Sequence, residues 1–266
     1  MPKTSRGGKA GATTATPQPV YTNPGTPITF TTRSTPLTAQ QRRQVQANAL
    51  NFQPATQKQA QQIHQAQAQQ MQAATQHDIN AKYAIAQYIR SDTQGNGKSR
   101  AQNLNQKLMI GAKLDPTERG MVRGLDKAMT PIGQDIKLYR ADHAITPQGS
   151  GLMQRLGLPN YQNMSQAQLQ KALIGRTFTE GKYLSTSEVK SASPFISGPQ
   201  SGGRSLMWNI NAPGTTKAIR GDTKQTEQIL ARGGNYRITG VRFTGLTAHP
   251  ASGGSYKQIE IDVDII

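Results

Sequence analysis

Three short stretches in the second half of the chain carry side chains that could do chemistry together: Leu138-Tyr139-Arg140, Tyr183-Leu184-Ser185-Thr186-Ser187, and Gln225-Thr226-Glu227-Gln228-Ile229-Leu230-Ala231-Arg232-Gly233. A guanidinium offers a planar fork of donors suited to phosphate oxygens, which a lysine cannot reproduce. Hydroxyls can orient a neighbour, and a carboxylate can face developing positive charge. Each stretch alone has an ordinary explanation. Arg140 at a strand end suits an ion pair, Ser-Thr-Ser is a common edge-strand tripeptide, and Glu227 could be one more surface charge.

Other motifs are excluded by spacing. Gly97-Lys98-Ser99 would need a glycine at position 92 to cradle phosphate, and Asp92 stands there. Asp262 and Asp264 form a D-x-D in line with Glu260, which an alternating strand is expected to turn outward to solvent. His64, His77, His143 and His249 are scattered, with no pair at zinc-ligand spacing, and His143 reads as a surface loop residue. No metal is therefore expected. The chain has no cysteine, which removes thiol catalysis and disulfides together.

The elements that must position these residues occupy only part of the chain. There are 266 residues, 34% hydrophobic and 5% aromatic, with 31 Lys and Arg against 14 Asp and Glu, a net charge of +17. Such a balance excludes an acidic solvating protein and favours an anionic partner. Residues 1–77 hold no acid and seven basics; the remainder, from Asp78, holds the other 24 basics and all 14 acids, net +10. Residues 1–37 are Thr, Pro and Gly rich and read as a disordered basic tail, because ordering them would cost about 1 to 2 kcal/mol per residue with little to bury. Residues 38–77 are a Gln/Ala-rich helical or linker segment. The folded domain is expected over 78–266. No signal peptide is expected, and no run of 18 apolar residues suggests a membrane span.

Within that domain, helices come first. Ile79, Tyr83, Ile85, Ala86 and Ile89 have helical spacing, and Leu104, Leu108 and Met109 form a second set. Asp115 as N-cap, Pro116 at the first helical position and Glu118 at the third begin a helix through Met121, Val122, Leu125 and Met129. Strands are expected at Ile136–Ala141, Tyr183–Ser187, Ser205–Asn211, Thr216–Ile219 and Tyr236–Val241. The last segment puts Ile259, Ile261, Val263 and Ile265 on one face. Helices followed by short strands imply an α+β domain, not a doubly wound parallel sheet.

In this order and at these separations, the three stretches resemble the Arg-Ser-Glu class of mono-ADP-ribosyltransferases. The similarity extends to DINAKYAIAQYI before the arginine strand, to FTEGKYLSTS, to LMWNINAPGTTKAI and to LARGGNYRITGV. It covers about residues 78–266 and leaves the first 77 aside. The resemblance implies N-terminal helices followed by a two-sheet, mostly antiparallel β core. It implies NAD as co-substrate, with nicotinamide released and ADP-ribose moved to a macromolecular acceptor, a host protein or nucleic acid.

By the same resemblance, Glu227 would stabilise the oxocarbenium-like ribose. Electrostatic help of that kind can reach roughly 3 to 4 kcal/mol per group in a dry site. Between Val189 and Ile259 the only acids are Asp222 and Glu227, which supports the assignment. Arg140 would hold the NAD diphosphate and Ser185 would orient Glu227 and the nicotinamide ribose. Thr186 joins the NAD-binding group, although it and Ser187 fit a strand-supporting role. Phe195 is a candidate for stacking on nicotinamide or an ordinary core residue. Family members usually have glycine after the arginine, its backbone holding the nicotinamide amide; here Ala141 keeps those backbone groups. Gln225 makes a Q-x-E pattern, similar to enzymes that modify asparagine or guanine, which disfavours arginine as acceptor. Two other readings use the same chain: an NAD glycohydrolase, and a nucleic-acid-binding or virion structural protein with an inactive transferase fold. The protein would act in the cytoplasm or after delivery into a host cell, with the basic tail available for nucleic acid.

Overall fold

The computed structural model describes residues 32–34, 37–49, 52–76, 78–89, 97–142, 151–190, 205–221, 226–248 and 255–266. The tail over residues 1–31, His143, Phe195 and Gln225 lie outside the described residues. Thr32–Ser34, within the stretch read as a tail, form strand β1 and pair antiparallel with residues 176–178. The Gln/Ala-rich segment is helical, as α1 (Ala39–Ala49) and α2 (Gln57–Thr75).

Local chemistry explains where the helices begin. α2 starts at a capping box in which Thr56 accepts from the Gln59 backbone and the Gln59 side chain returns to Thr56. Ser99 with Gln102 does the same for α4 (Arg100–Ile110), and Ser165 with Gln168 for α7 (Gln166–Leu173). α5 (Pro116–Ala128) opens on Asp115, Pro116 and Glu118 as the sequence predicts. α4 ends at Gly111, whose left-handed backbone (φ 67°) lets its N–H reach back to the last turn. A short helix α6 (Leu152–Arg155) completes the set.

α3 (Ile79–Ile89) corrects one expectation. Its buried face is Ala81, Ala84, Ile85 and Tyr88, whereas Ile79 is 80% and Tyr83 57% exposed. The reason is the crossing with α5: a methyl group on Gly124 would stand 2.6 Å from the Ala84 Cβ and 3.0 Å from the Asn80 carbonyl. The two backbones approach so closely that only small residues fit the contact, and the larger apolar side chains are turned outward.

Among the described residues ten strands are hydrogen-bonded side by side in the order β1-β4-β9-β10-β6-β3-β5-β8-β7-β2. They are β2 (Thr130–Pro131), β3 (Ile136–Asp142), β4 (Arg176–Glu180), β5 (Leu184–Ser187), β6 (Ser205–Ala212), β7 (Lys217–Arg220), β8 (Glu227–Leu230), β9 (Gly234–Ala248) and β10 (Ser255–Ile265). All neighbours are antiparallel except β10 with β6. The first six and the last four strands meet only where β3 and β5 pair, through Tyr139 and Ser187. The architecture is the expected α+β fold; its strands form one mixed, mostly antiparallel sheet, whose two halves are joined at that seam.

On β10, Ile259, Ile261 and Val263 are fully buried. The opposite face is less open than the alternation implies. Glu260 is 4% exposed and bonds Lys190 Nζ at 2.5 Å and Asn209 Nδ2 at 3.0 Å, while Arg242 clamps both Glu260 and Asp262. Burial pushes the Glu260 carboxyl up, but the Lys190 and Asn209 bonds outweigh it and hold the group below the usual range. β10 is an interior strand between β9 and β6, so its polar face is neutralised by partners on neighbouring strands. No helix among the described residues is long and apolar enough to cross a membrane.

Two large apolar clusters pack against the strands, beside a small third one of Tyr139, Ala141 and Met207. One gathers Ile63 of α2 with Leu138, Leu184, Trp208, Leu230 and Val263. The other places Tyr88, Leu104, Leu125 and Tyr183 against Ile219 and Ile229. Because neighbours along a strand alternate faces, β8 separates these cores, with Leu230 on one side and Ile229 on the other.

Candidate active site

The seam between the two halves of the sheet is where the three sequence stretches meet. Arg140, near the end of β3, sends Nη1 to the carbonyl of Ser185 on β5 at 2.7 Å. That bond uses one of the five donors of a guanidinium. β5 and β8 then run antiparallel with Ser185 opposite Ile229 and Ser187 opposite Glu227. By strand alternation Ser185, Ser187, Glu227 and Ile229 share one face, the face that also meets Tyr88 and Tyr183. Arg140, Ser185 and Glu227 are thus brought to one region, although 87 residues separate the first from the last.

Electrostatics agree with that placement. Burial drives the Tyr88 phenol far above its ordinary value; the Asn105 amide, 2.7 Å away, opposes the shift. The negative charge of Glu227 adds to it and Arg140 works against it. One buried ring on α3 therefore senses both the proposed anion and the proposed cation. Tyr88 also meets Tyr183 edge-on, with centroids 5.5 Å apart. Tyr183 in turn donates to Asp126 at 2.7 Å, and Asp126 accepts from Arg232 Nη2 at 2.7 Å. These bonds tie α5, the start of β5 and the end of β8 together around the site.

Glu227 is held from both sides along the chain. Thr226 before it has φ +45°, the one non-glycine residue with positive φ among the described residues. For a β-branched residue this left-handed backbone costs of order 1–3 kcal/mol and persists only where surroundings enforce it. Those surroundings are visible: Thr226 is 2% exposed, its hydroxyl lies 3.0 Å from Ser187 Oγ, and its carbonyl accepts from the Glu188 N–H at 3.1 Å. Just beyond β7, the Gly221 N–H donates to the Glu227 carbonyl at 2.9 Å. The Glu227 carboxylate lies against the Gly221 Cα, in space a side chain at 221 would occupy.

A second buried charge pair borders Arg140. Arg155 binds Glu180 through two bonds of 2.9 and 2.8 Å, and Glu180 is fully buried. Burial raises the Glu180 pKa, but Arg155 overrides it, helped by Lys182 and Arg140, and the carboxyl stays below its usual range.

The remaining sequence candidates fall as follows. Ala141 is buried with Tyr139 and Met207 on the far face of β3, so only its backbone is near Arg140. The Thr186 hydroxyl is buried and donates at 2.8 Å to the carbonyl of Gln228, its register partner. Phe195 and Gln225 fall outside the described residues. Sequence reasoning did not single out Thr226, Gly221, Glu188 or Tyr88. Thr226 carries no composition signal for a left-handed backbone, and Gly221 was one glycine among 26. Among the described residues no three His, Asp or Glu side chains gather as metal ligands.

Comparisons with known proteins bear on the chain as a whole. The model of the ADP-ribosyltransferase exoenzyme family matches residues 51–263. Its start lies before Asp78, in keeping with α2 packing into the core through Ile63. No curated protein matches the chain. Among solved structures, Plx2a, an ADP-ribosyltransferase toxin from Paenibacillus larvae, superposes with a TM-score of 0.56 at 19% identity, over 79% of this chain and 96% of that one. The C3stau2 protein of S. aureus, solved with NAD, gives 0.51 at 18% identity over 78% and 94%. The Clostridium limosum C3 exoenzyme gives 0.50 at 20% identity over 81% and 97%. At these identities the superpositions speak to the fold alone, but the family model spans most of the sequence. The chain belongs to the ADP-ribosyltransferase exoenzyme family.

Proposed function

We propose that the protein is an NAD-dependent mono-ADP-ribosyltransferase of the Arg-Ser-Glu class. The observation that carries this reading is the bond from Arg140 to the Ser185 carbonyl beside a β5–β8 register that sets Glu227 across from Ser187. In the reaction the bond between nicotinamide and the ribose breaks, and its electron pair leaves with nicotinamide. The ribose carbon is left with positive charge until a lone pair of the acceptor closes on it and the acceptor sheds a proton. Glu227 faces that charge, and its fixed position makes the stabilisation available without reorganisation at the moment of bond breaking. Arg140 serves the diphosphate through its planar fork, and Ser185 orients Glu227 and the ribose. A solved structure of the family fold holding NAD supports the co-substrate.

The acceptor is a macromolecule other than an arginine side chain. Gln225, two residues before Glu227, offers an amide that can donate and accept hydrogen bonds to an amide or a base, and it lacks the charge that would hold a guanidinium. The seven basic residues and absence of acids over residues 1–77 suit a nucleic acid or another anionic surface met inside a host cell.

Incubation with labelled NAD, followed by separation of nicotinamide, free ADP-ribose and modified polymer, tests the reading. Nicotinamide release with label on a polymer is the expected result; free ADP-ribose as the sole product would make the protein a glycohydrolase. A Glu227→Ala variant as active as the parent would remove the mechanism.

A further inference from the structure

Glu188 follows the Ser-Thr-Ser strand directly and holds both chain neighbours of Glu227. Its N–H donates to the Thr226 carbonyl at 3.1 Å, and its Oε1 accepts from the Gln228 amide at 2.6 Å. Neither contact touches Glu227 itself. Together they hold the backbone carbonyl before it and the side chain after it, and one of the two residues held is the strained Thr226.

The Glu188 side chain is fully buried. A carboxylate in that setting is costly unless partners surround it. Two of the side chains that meet this cluster come from α2: His64 Nε2 stands 3.1 Å from Glu188 Oε1, and Gln67 Oε1 accepts from the same Gln228 amide at 2.5 Å. His64, Gln67 and Gln228 are all 5% exposed or less. Arg220 of β7 reaches the His64 carbonyl at 3.5 Å and secures the helix from the other side.

Apolar contact alone would suffice to dock α2, because Ile63 already enters the core and Ala60 is fully buried. Hydrophobic burial, however, is non-directional. A hydrogen-bonded cluster adds direction, setting where Glu188 and Gln228 lie along β5 and β8. Strand alternation sends Gln228 and Leu230 toward α2 and Glu227 and Ile229 toward the opposite face. The cluster therefore grips β8 from behind the catalytic surface.

We infer that Glu188 is a positioning residue for the Glu227 carboxylate, and that Gln67, bonded to Gln228, with His64 packed beside Glu188, makes α2 part of the catalytic apparatus. The inference rests on the reading of Glu227 as the catalytic acid. A shift of about 1 Å at a reacting group can cost on the order of a hundredfold in rate, so a loosened β8 lowers turnover while the Arg140 contacts to NAD persist.

The test uses the full chain and the nicotinamide-release assay. Gln67→Leu and Glu188→Ala should each lower kcat about tenfold or more, with the KM for NAD changed by less than about threefold. Glu188→Gln, which keeps an acceptor for Gln228 and the same backbone N–H, should recover most of the loss. Unchanged kcat in folded Gln67→Leu overturns the inference, as does a loss that Glu188→Gln fails to recover. A fall in kcat matched by a rise in KM also overturns it, since that marks general loosening. Should Glu188→Ala not fold, Gln67→Leu and His64→Ala carry the same comparison. Glu227→Ala run alongside separates the two levels: full activity there sinks the catalytic reading, whereas a dead Glu227→Ala beside a fully active Gln67→Leu sinks only the role of α2.

Discussion

The carboxylate of Glu227 rests against the bare Cα of Gly221, and the Gly221 N–H donates to the Glu227 carbonyl at 2.9 Å. Residue 221 therefore shapes the site by having no side chain. Its φ is not among the positive values, so an alanine there is permitted by the backbone, and the atoms nearest its methyl are all of the flexible Glu227 side chain. Gly221→Ala is expected to displace Glu227, lowering the rate of nicotinamide release about ten- to a hundredfold. Stability should move by no more than about 0.5 kcal/mol. Kinetics and a thermal melt on one preparation check both halves, and wild-type turnover would refute the first.

Arg140→Lys should separate binding from turnover. A lysine keeps the charge but loses the fork and the bond to the Ser185 carbonyl. Charge-assisted hydrogen bonds contribute about 1.5–3 kcal/mol, so KM for NAD should rise about tenfold or more. A titration of initial rate against NAD gives the answer, and an unchanged KM would free Arg140 from the assigned role.

The Arg155–Glu180 pair should make stability fall in acid. Glu180 has its folded-state pKa held below its ordinary value of 4.5. Its contribution is therefore complete above that value and is lost as pH falls through the lower folded pKa. Glu180→Gln should cost about 3–5 kcal/mol near neutrality, because Arg155 is left buried without its anion. Denaturant melts from pH 7 down to pH 3 should show a shallower acid slope for the variant than for the parent. Parallel slopes would mean that other carboxylates carry the dependence.

Gly124→Ala tests the α3–α5 crossing. The added methyl would stand 2.6 Å from Ala84 Cβ and 3.0 Å from the Asn80 carbonyl, both on a packed helix. Overpacking of this kind costs about 1–3 kcal/mol. Since α3 carries Tyr88 to the site, activity should fall along with the melting temperature. A melt as high as the parent's would show that the helices separate freely.

Much of the local structure is legible along the chain. The α5 start at Asp115, Pro116 and Glu118 follows from capping chemistry that depends on adjacent residues alone. The β10 alternation reads off directly as buried Ile259, Ile261 and Val263. The buried face of α3 does not, since Ile79 and Tyr83 look apolar in any window, and only the nearness of Gly124 turns them outward. Glu260 is similar: its partners Lys190 and Arg242 lie 70 and 18 residues away, so an outward charged face became a closed network.

By itself the sequence determined which side chains were available for chemistry. Arg140, Ser185 and Glu227 could be selected because type and order survive in one dimension. Tertiary structure alone decided how the acid is held: Thr226 bent to positive φ under Ser187 and Glu188, Gly221 left bare beneath the carboxylate, and α2 packed behind β8. Those features depend on distances between segments as far as 161 residues apart. Propensity and periodicity describe a residue's near neighbours, whereas strain and close approach arise only when distant strands and helices meet.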